Sequence, residues 1–281
     1  MMKGFSIITF ILILFSFTSC ENTEQPIQES VTSDKSEGLD ETASLIQWKY
    51  DMILVNHIKA PVEFLTANTF DKSKFKEGLT NAVSNVDAYN NNDSKSINLG
   101  VYGADLGYLS AYEQNQELIN YFLTVKQLSE DLSIPVFNAE TMEQFESAKS
   151  EEGKMIDLIY KKYEEMDVFL VENERFETLT LITCGAFIEG LKLGLHIVIT
   201  EDMTDESKFL MQQKALLANL LDIVKDFEGK NEALSEVQSS FEDLTVKFDA
   251  IDFDKAMEGE KINSLGESLS AFSVELSQPK I

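Results

Sequence analysis

The chain has 281 residues, with 49 Asp+Glu against 23 Lys+Arg and a formal net charge of -26. That balance excludes a nucleic-acid backbone as partner, because phosphates are held through cationic side chains, and it sets the surface against anionic lipid headgroups as well. Hydrophobic residues make up 43% and aromatic residues 10%, so the acidity belongs to solvated faces around a sizeable core rather than to general disorder.

At the N-terminus Lys3 supplies a short positive start, Phe5 to Phe15 a mostly apolar run, and Phe17-Thr-Ser-Cys20 small residues ahead of a cysteine. This is the layout of a secretory signal and its cleavage site. The run falls well short of the roughly 20 residues of a membrane-spanning helix. The arrangement resembles the lipobox of bacterial lipoproteins, with Phe17 where Leu is usual. The resemblance implies that residues 1–19 are a signal peptide and that Cys20 becomes the acylated first residue of the mature chain. It also implies a location in the cell envelope, anchored to a bacterial membrane, with the outer membrane the expected one. Each buried CH2 of an acyl chain contributes about 0.8 kcal/mol to such anchoring. Cys184 is the only other cysteine, so a lipidated Cys20 leaves no intramolecular disulfide. Inside an apolar run, Cys184 reads as a buried, inert thiol.

Residues 20–42 are polar and read as a flexible tether, and residues 43–281 as a single helical domain. With 4 prolines in the chain and few alternating β-branched runs, the expected fold class is all-α, a multi-helix bundle of antiparallel helices. Leu45 to Ala60 fits a strand or a helix, with helix favoured, and Pro61 ends it. Asp71 to Tyr89 is expected to form a modestly amphipathic helical segment, and Asn90-Asn-Asn-Asp93 to supply the N-cap of the next helix. Asn115 is the expected cap of a helix carrying Leu118, Phe122, Val125 and Leu132, which Pro135 closes. A short segment follows around Thr141 to Lys149. Glu152 to Glu172 places Ile156, Ile159, Tyr163, Met166 and Leu170 at spacings of three and four. Asp205 to Glu228, Glu232 to Ile251 and Asp254 to Leu276 continue the rhythm, and their short connections imply antiparallel neighbours.

Two segments have almost no solvent face. On a helical wheel of roughly 100° per residue, Gly100, Gly103, Ala104, Gly107 and Ala111 form a small-residue stripe, and Asn98 with Asp105 makes the only polar strip. In Phe176 to Thr200 the stripe is Thr183, Gly190 and Gly194, with Thr178, Gly185, Glu189, Lys192 and His196 on the opposite side. Helices apolar nearly all round are buried ones, so these two are expected to form a central crossing pair.

The stretch Asn98-Leu-Gly-Val-Tyr-Gly-Ala-Asp-Leu-Gly-Tyr108, with Tyr121 and then Leu128-Ser-Glu-Asp-Leu-Ser-Ile134, resembles uncharacterised all-helical lipoproteins of Bacteroidota-type bacteria. The likeness covers residues 50 to 200 or so. It implies fold and location, and brings no established reaction.

Among candidate sites, Glu189, Lys192 and His196 at i, i+3 and i+7 put a carboxylate, an ammonium and an imidazole on one face, although such a strip is more often a thin solvated seam. Asp105 is the only charge on an otherwise buried helix. It is expected to be at least partly buried and hydrogen-bonded, with Asn98, Tyr102 and Tyr112 beside it as further candidate binding residues. The tyrosines read first as core. No metal or cofactor is expected: neither His57 nor His196 has a Glu three residues earlier, and no zinc spacing occurs. Gly194-Leu-His196 approaches the Gly-x-His-x-x-Glu motif of imelysin-type lipoproteins, but Ile199 stands where the glutamate belongs. The leading reading is an interaction or structural module on the membrane, meeting an envelope protein. The alternative is a binder of a small ligand in a pocket near Asp105, and the third reading an enzyme using Glu189 and His196.

Overall fold

The structure, a computed structural model, describes residues 71–148, 154–200, 206–252 and 259–277. The signal, Cys20, the tether, Leu45 to Ala60 and His57 lie outside the described residues. Among the described residues the chain is all-α. Two 3-10 turns, Lys72–Lys74 and Val83–Ala88, precede α1 (Asn92–Ala111), α2 (Asn115–Asp131), α3 (Ala139–Ala148) and α4 (Lys154–Glu172). After them come α5 (Phe176–Thr200), α6 (Glu206–Lys225), α7 (Glu232–Asp249) and α8 (Gly259–Ser277).

Helices α1 and α5 form the centre. A Cβ built on Gly100 would run into the Ile182 carbonyl oxygen and lie 2.6 Å from Ala186 N, and one on Gly185 would run into the Ile97 carbonyl oxygen. The two backbones therefore touch, which is the return on glycines that each cost a helix about 1 kcal/mol relative to alanine. On α5 the crossing uses Gly185, the small residue that the wheel places opposite Gly190 and Gly194. Gly194 is instead pressed by the Phe209 ring of α6, while a Cβ on Gly190 would meet nothing within 4 Å. Helix α5 is long and apolar enough to span a membrane, yet it is covered mostly by its neighbours, as the core helix of a bundle would be.

Around this pair, α2 packs on α1, α4 on both, α3 on α4, and α6, α7 and α8 close the other side. The 3-4 rhythm of α7 is carried by Leu234, Val237, Phe241, Leu244 and Phe248, every one buried. Asn91 caps α1, its side chain accepting from Ser94 N at 2.8 Å. Helix α2 starts differently from the sequence expectation: Asn115 is its first residue, and the cap position is Gln114, with no side-chain capping bond.

The segment from Asp71 to Tyr89 is not the expected helix. Apart from its two 3-10 turns it is irregular, with Gly78 at φ 76°, and beside a few local turn bonds several of its backbone groups bond to the core. Lys76 N donates to Tyr108 Oη at 3.1 Å and Asn81 N to Asp105 Oδ2 at 3.1 Å. Leu79 O accepts from Lys192 Nζ at 3.1 Å, Asn81 O from Tyr121 Oη at 2.7 Å and Ala82 O from Tyr102 Oη at 2.7 Å. Buried backbone groups must be paired somewhere, and here side chains of α1, α2 and α5 do what a helix would otherwise do internally.

Candidate functional site

Three of the residues singled out in the sequence meet under this strap. Asp105 of α1 and Glu189 of α5 have no exposed surface, and the Glu189 charge acts on Asp105. Two buried carboxyl groups that act on one another disfavour ionisation of both. Burial first, and the Glu189 charge second, push the Asp105 pKa well above the ordinary carboxylate value, with Lys192 opposing. Asp105 Oδ2 accepts from Asn81 N and from Asn81 Nδ2 at 3.2 Å, and Oδ1 has no hydrogen-bond partner.

Lys192 completes the cluster. Its ammonium is ion-paired with Glu189 Oε1, though not in hydrogen-bond alignment, and it donates to Leu79 O and to Ser273 Oγ of α8 at 3.2 Å. Ser273 in turn donates to Glu189 Oε2 at 2.5 Å. Glu189 and Lys192 are thus no solvated seam. They form an internal tie joining α1, α5, α8 and the strap.

The other sequence candidates stand apart from that tie. The His196 ring hydrogen-bonds Thr200 Oγ1 at 3.4 Å and no bond links it to Glu189. Burial, and then Lys76, lower its pKa. Asn98 is buried and donates to Ser94 O at 2.8 Å, within its own helix. Tyr102 packs edge-on to Tyr121 and beside Tyr89, and Tyr112 packs against Tyr108 and Phe75, so both tyrosines are core. Cys184 is buried and its thiol pKa is raised by that burial. Among the described residues no group of three His, Cys, Asp or Glu is placed to hold a metal ion.

The open space lies on the other side of the crossing. Gly103, Ala104 and Gly107 of α1 and Thr183, Ala186 and Gly190 of α5 floor a cavity of about 180 Å3. Ile156, Ile159, Tyr160 and Tyr163 of α4 wall it on one flank, and Phe209, Gln213 and Leu216 of α6 on the other. The floor residues are half-buried, so the cavity is open to solvent. Tyr163 is fixed by donating to Leu99 O at 2.8 Å, and its ring fills the space above Gly103. Asp105, Glu189, Lys192 and His196, near which a pocket was expected, do not line this cavity: the strap and α8 bond across the first three.

One polar side chain was not anticipated. Asp167 of α4 lines the cavity, is 4% exposed, and its Oδ2 has no hydrogen-bond partner. Burial, with the neighbouring Glu164 charge second, pushes its pKa well up. Ile156, Tyr160, Tyr163, Asp167 and Leu170 follow a 4-3-4-3 spacing, so the core-facing rhythm contained it; reading the stripe through Ile159 and Met166 hid it.

No family model, curated protein or solved structure matches this chain. Function is therefore argued from the two loci alone. The buried tie has no access for a substrate, whereas the cavity has access, apolar walls and one unsatisfied carboxyl group.

Proposed function

We propose that this chain is a lipid-anchored helical domain of the bacterial envelope that holds a small, largely apolar molecule in the cavity between α1, α4, α5 and α6. Gly190 carries the reading. It sits in the middle of α5, where glycine costs about 1 kcal/mol relative to alanine, and unlike Gly100, Gly185 and Gly194 it has no neighbour that a Cβ would touch. Packing gives no reason for it; keeping the cavity open does. Ligand pockets are commonly apolar clefts with few polar groups, and this one offers the aromatic rings of Tyr160, Tyr163 and Phe209 beside Asp167 and Gln213.

A surface for a protein partner has less support. Among the described residues the exposed large apolar side chains Leu123, Val168, Ile199, Met211, Val246 and Val274 each stand on a different helix, so none makes a stripe along one element.

The binding reading is tested by a thermal-shift and calorimetry panel of small neutral aromatics, 2-phenylethanol and indole among them. Saturation at a hundred times the dissociation constant adds about 2.7 kcal/mol of stability, and Gly190→Leu, which places a side chain in the cavity, abolishes the effect. A Gly190→Leu protein that responds to the panel as the wild type does would sink the reading. The anchor is tested separately: Cys20→Ala moves the protein to the aqueous phase on detergent partitioning, and continued lipid modification of that variant overturns it.

A further inference from the structure

The cavity contains a buried carboxyl group, one oxygen of which the chain leaves without a partner. Asp167 is 4% exposed, Oδ2 has no donor, and the charge that acts on it is the like charge of Glu164. The neighbouring Lys162 is committed to Glu165 at 2.8 Å. Buried carboxyl groups are otherwise hydrogen-bonded or paired, as Glu189 is with Lys192 and Ser273 on the far side of the same helix pair. A donor for Asp167 must come from outside the chain.

We infer that the ligand of this cavity is a small amine, one aromatic ring or short alkyl body with a single ammonium group that pairs with Asp167. The inference rests on the binding reading above and adds the chemical class. Size sets the body: a cavity of about 150 Å3 is known to hold benzene, so one of about 180 Å3 takes a ring with a short arm. Charge sets the head group. A chain of net charge -26 concentrates cations at its surface and repels carboxylates and phosphates. The rings of Tyr160, Tyr163 and Phe209 on the walls offer faces that attract an ammonium and an aromatic body alike. A neutral hydroxyl would satisfy Oδ2 but would use neither the field nor the carboxyl charge.

The test is titration calorimetry of the full-length protein with 2-phenylethylamine, its neutral isostere 2-phenylethanol, and the anion phenylacetate, on wild type, Asp167→Asn and Gly190→Leu. Expected is an amine bound at least tenfold more tightly than the alcohol, with phenylacetate weakest. Asp167→Asn, which keeps the shape of the side chain, weakens the amine at least tenfold and leaves the alcohol within about threefold, and Gly190→Leu loses both. An alcohol that binds wild type as tightly as the amine, or an amine unaffected by Asp167→Asn, overturns the amine assignment. If Gly190→Leu still removes the alcohol in that case, the cavity reading survives by itself. Absence of binding by all three probes overturns both.

Discussion

Asp105 of α1 and Glu189 of α5 are two carboxyl groups without any exposed surface, near enough that the Glu189 charge raises the Asp105 pKa. Burial first, and that charge second, favour the protonated, neutral form of Asp105. Glu189 is in turn held by Lys192 and Ser273. The partners of the two arrive from the strap, from α5 and from α8, so the pair fastens three parts of the chain that are remote in sequence.

Asparagine can play the part of that neutral acid. Asp105→Asn keeps an oxygen for Asn81 N and Nδ2 and has no charge to bury beside Glu189, so its stability in urea is expected to equal or exceed that of the wild type at pH 7. Asp105→Ala strands the Asn81 donors and is expected to cost about 1 to 3 kcal/mol. An alanine variant as stable as the wild type would mean that the pair holds nothing together.

Stability is expected to fall as pH rises. Asp105 and Asp167 both have folded-state pKa values raised above the ordinary aspartate value. Between the unfolded and folded values the native chain keeps a proton that the unfolded chain has lost, and the unfolding free energy then declines with pH. Their contribution is complete below the unfolded value and is lost as pH climbs through the folded one. Urea midpoints measured from about pH 4 to 8 should slope downward in the wild type and more shallowly in Asp105→Asn combined with Asp167→Asn. An unchanged slope in the double variant would assign the effect to general repulsion among surface carboxylates.

The glycines of the central pair should separate sharply on substitution by alanine. Gly100→Ala and Gly185→Ala force a methyl into the opposing backbone and are expected to lose more than the roughly 1 to 3 kcal/mol typical of overpacking, despite better helix propensity. Gly190→Ala meets nothing within 4 Å and should gain up to about 1 kcal/mol. Chemical denaturation of the three variants checks the ordering, and equal effects would mean that α1 and α5 do not cross at these residues.

Lys192→Met keeps the length of the side chain and removes the charge that faces Glu189. Breaking a buried ion pair from one side is expected to cost about 3 kcal/mol or more, and the Leu79 carbonyl and Ser273 hydroxyl lose a donor as well. Loss of less than about 0.5 kcal/mol, the usual range for an exposed position, would contradict the burial of this cluster.

Helices were legible in the sequence wherever one face is wet and the other dry. In α7 the positions of Leu234, Val237, Phe241, Leu244 and Phe248 need only the helical period to be read, and all are buried. The ends of several helices were not legible. Helices α1, α2 and α4 are followed by Glu113, Ser133 and Glu174 at φ 53°, 56° and 54°, a left-handed conformation usually marked by glycine. Bonds from Gln114 N to Leu109 O, Ile134 N to Ser129 O and Arg175 N to Leu170 O stabilise those turns at 2.8 to 2.9 Å. The strap was misread for a related reason: its partners, Asp105, Tyr121 and Lys192, are remote in sequence, and local pattern does not register them. Asp105, Glu189 and Lys192 could be placed on their helices, but whether their faces met depended on Gly185 and not on the Gly190 side of α5. Asp167 needed the cavity itself to become visible, because a carboxyl group at a core position shows its meaning only when its surroundings are known.

The strap also sets how the domain responds to pulling. Tension reaching residue 71 from the N-terminal side meets the short 3-10 turn Lys72–Lys74 and then side-chain bonds spread over α1, α2 and α5, not the terminal turn of a long helix, where unravelling would proceed one residue at a time. Bonds at Lys76, Leu79, Asn81 and Ala82 lie within seven residues of one another, so they share the load and yield together. Detachment of the strap would uncover Asp105 and Glu189 to water, turning a mechanical event ahead of α1 into a change of protonation at the centre of the bundle.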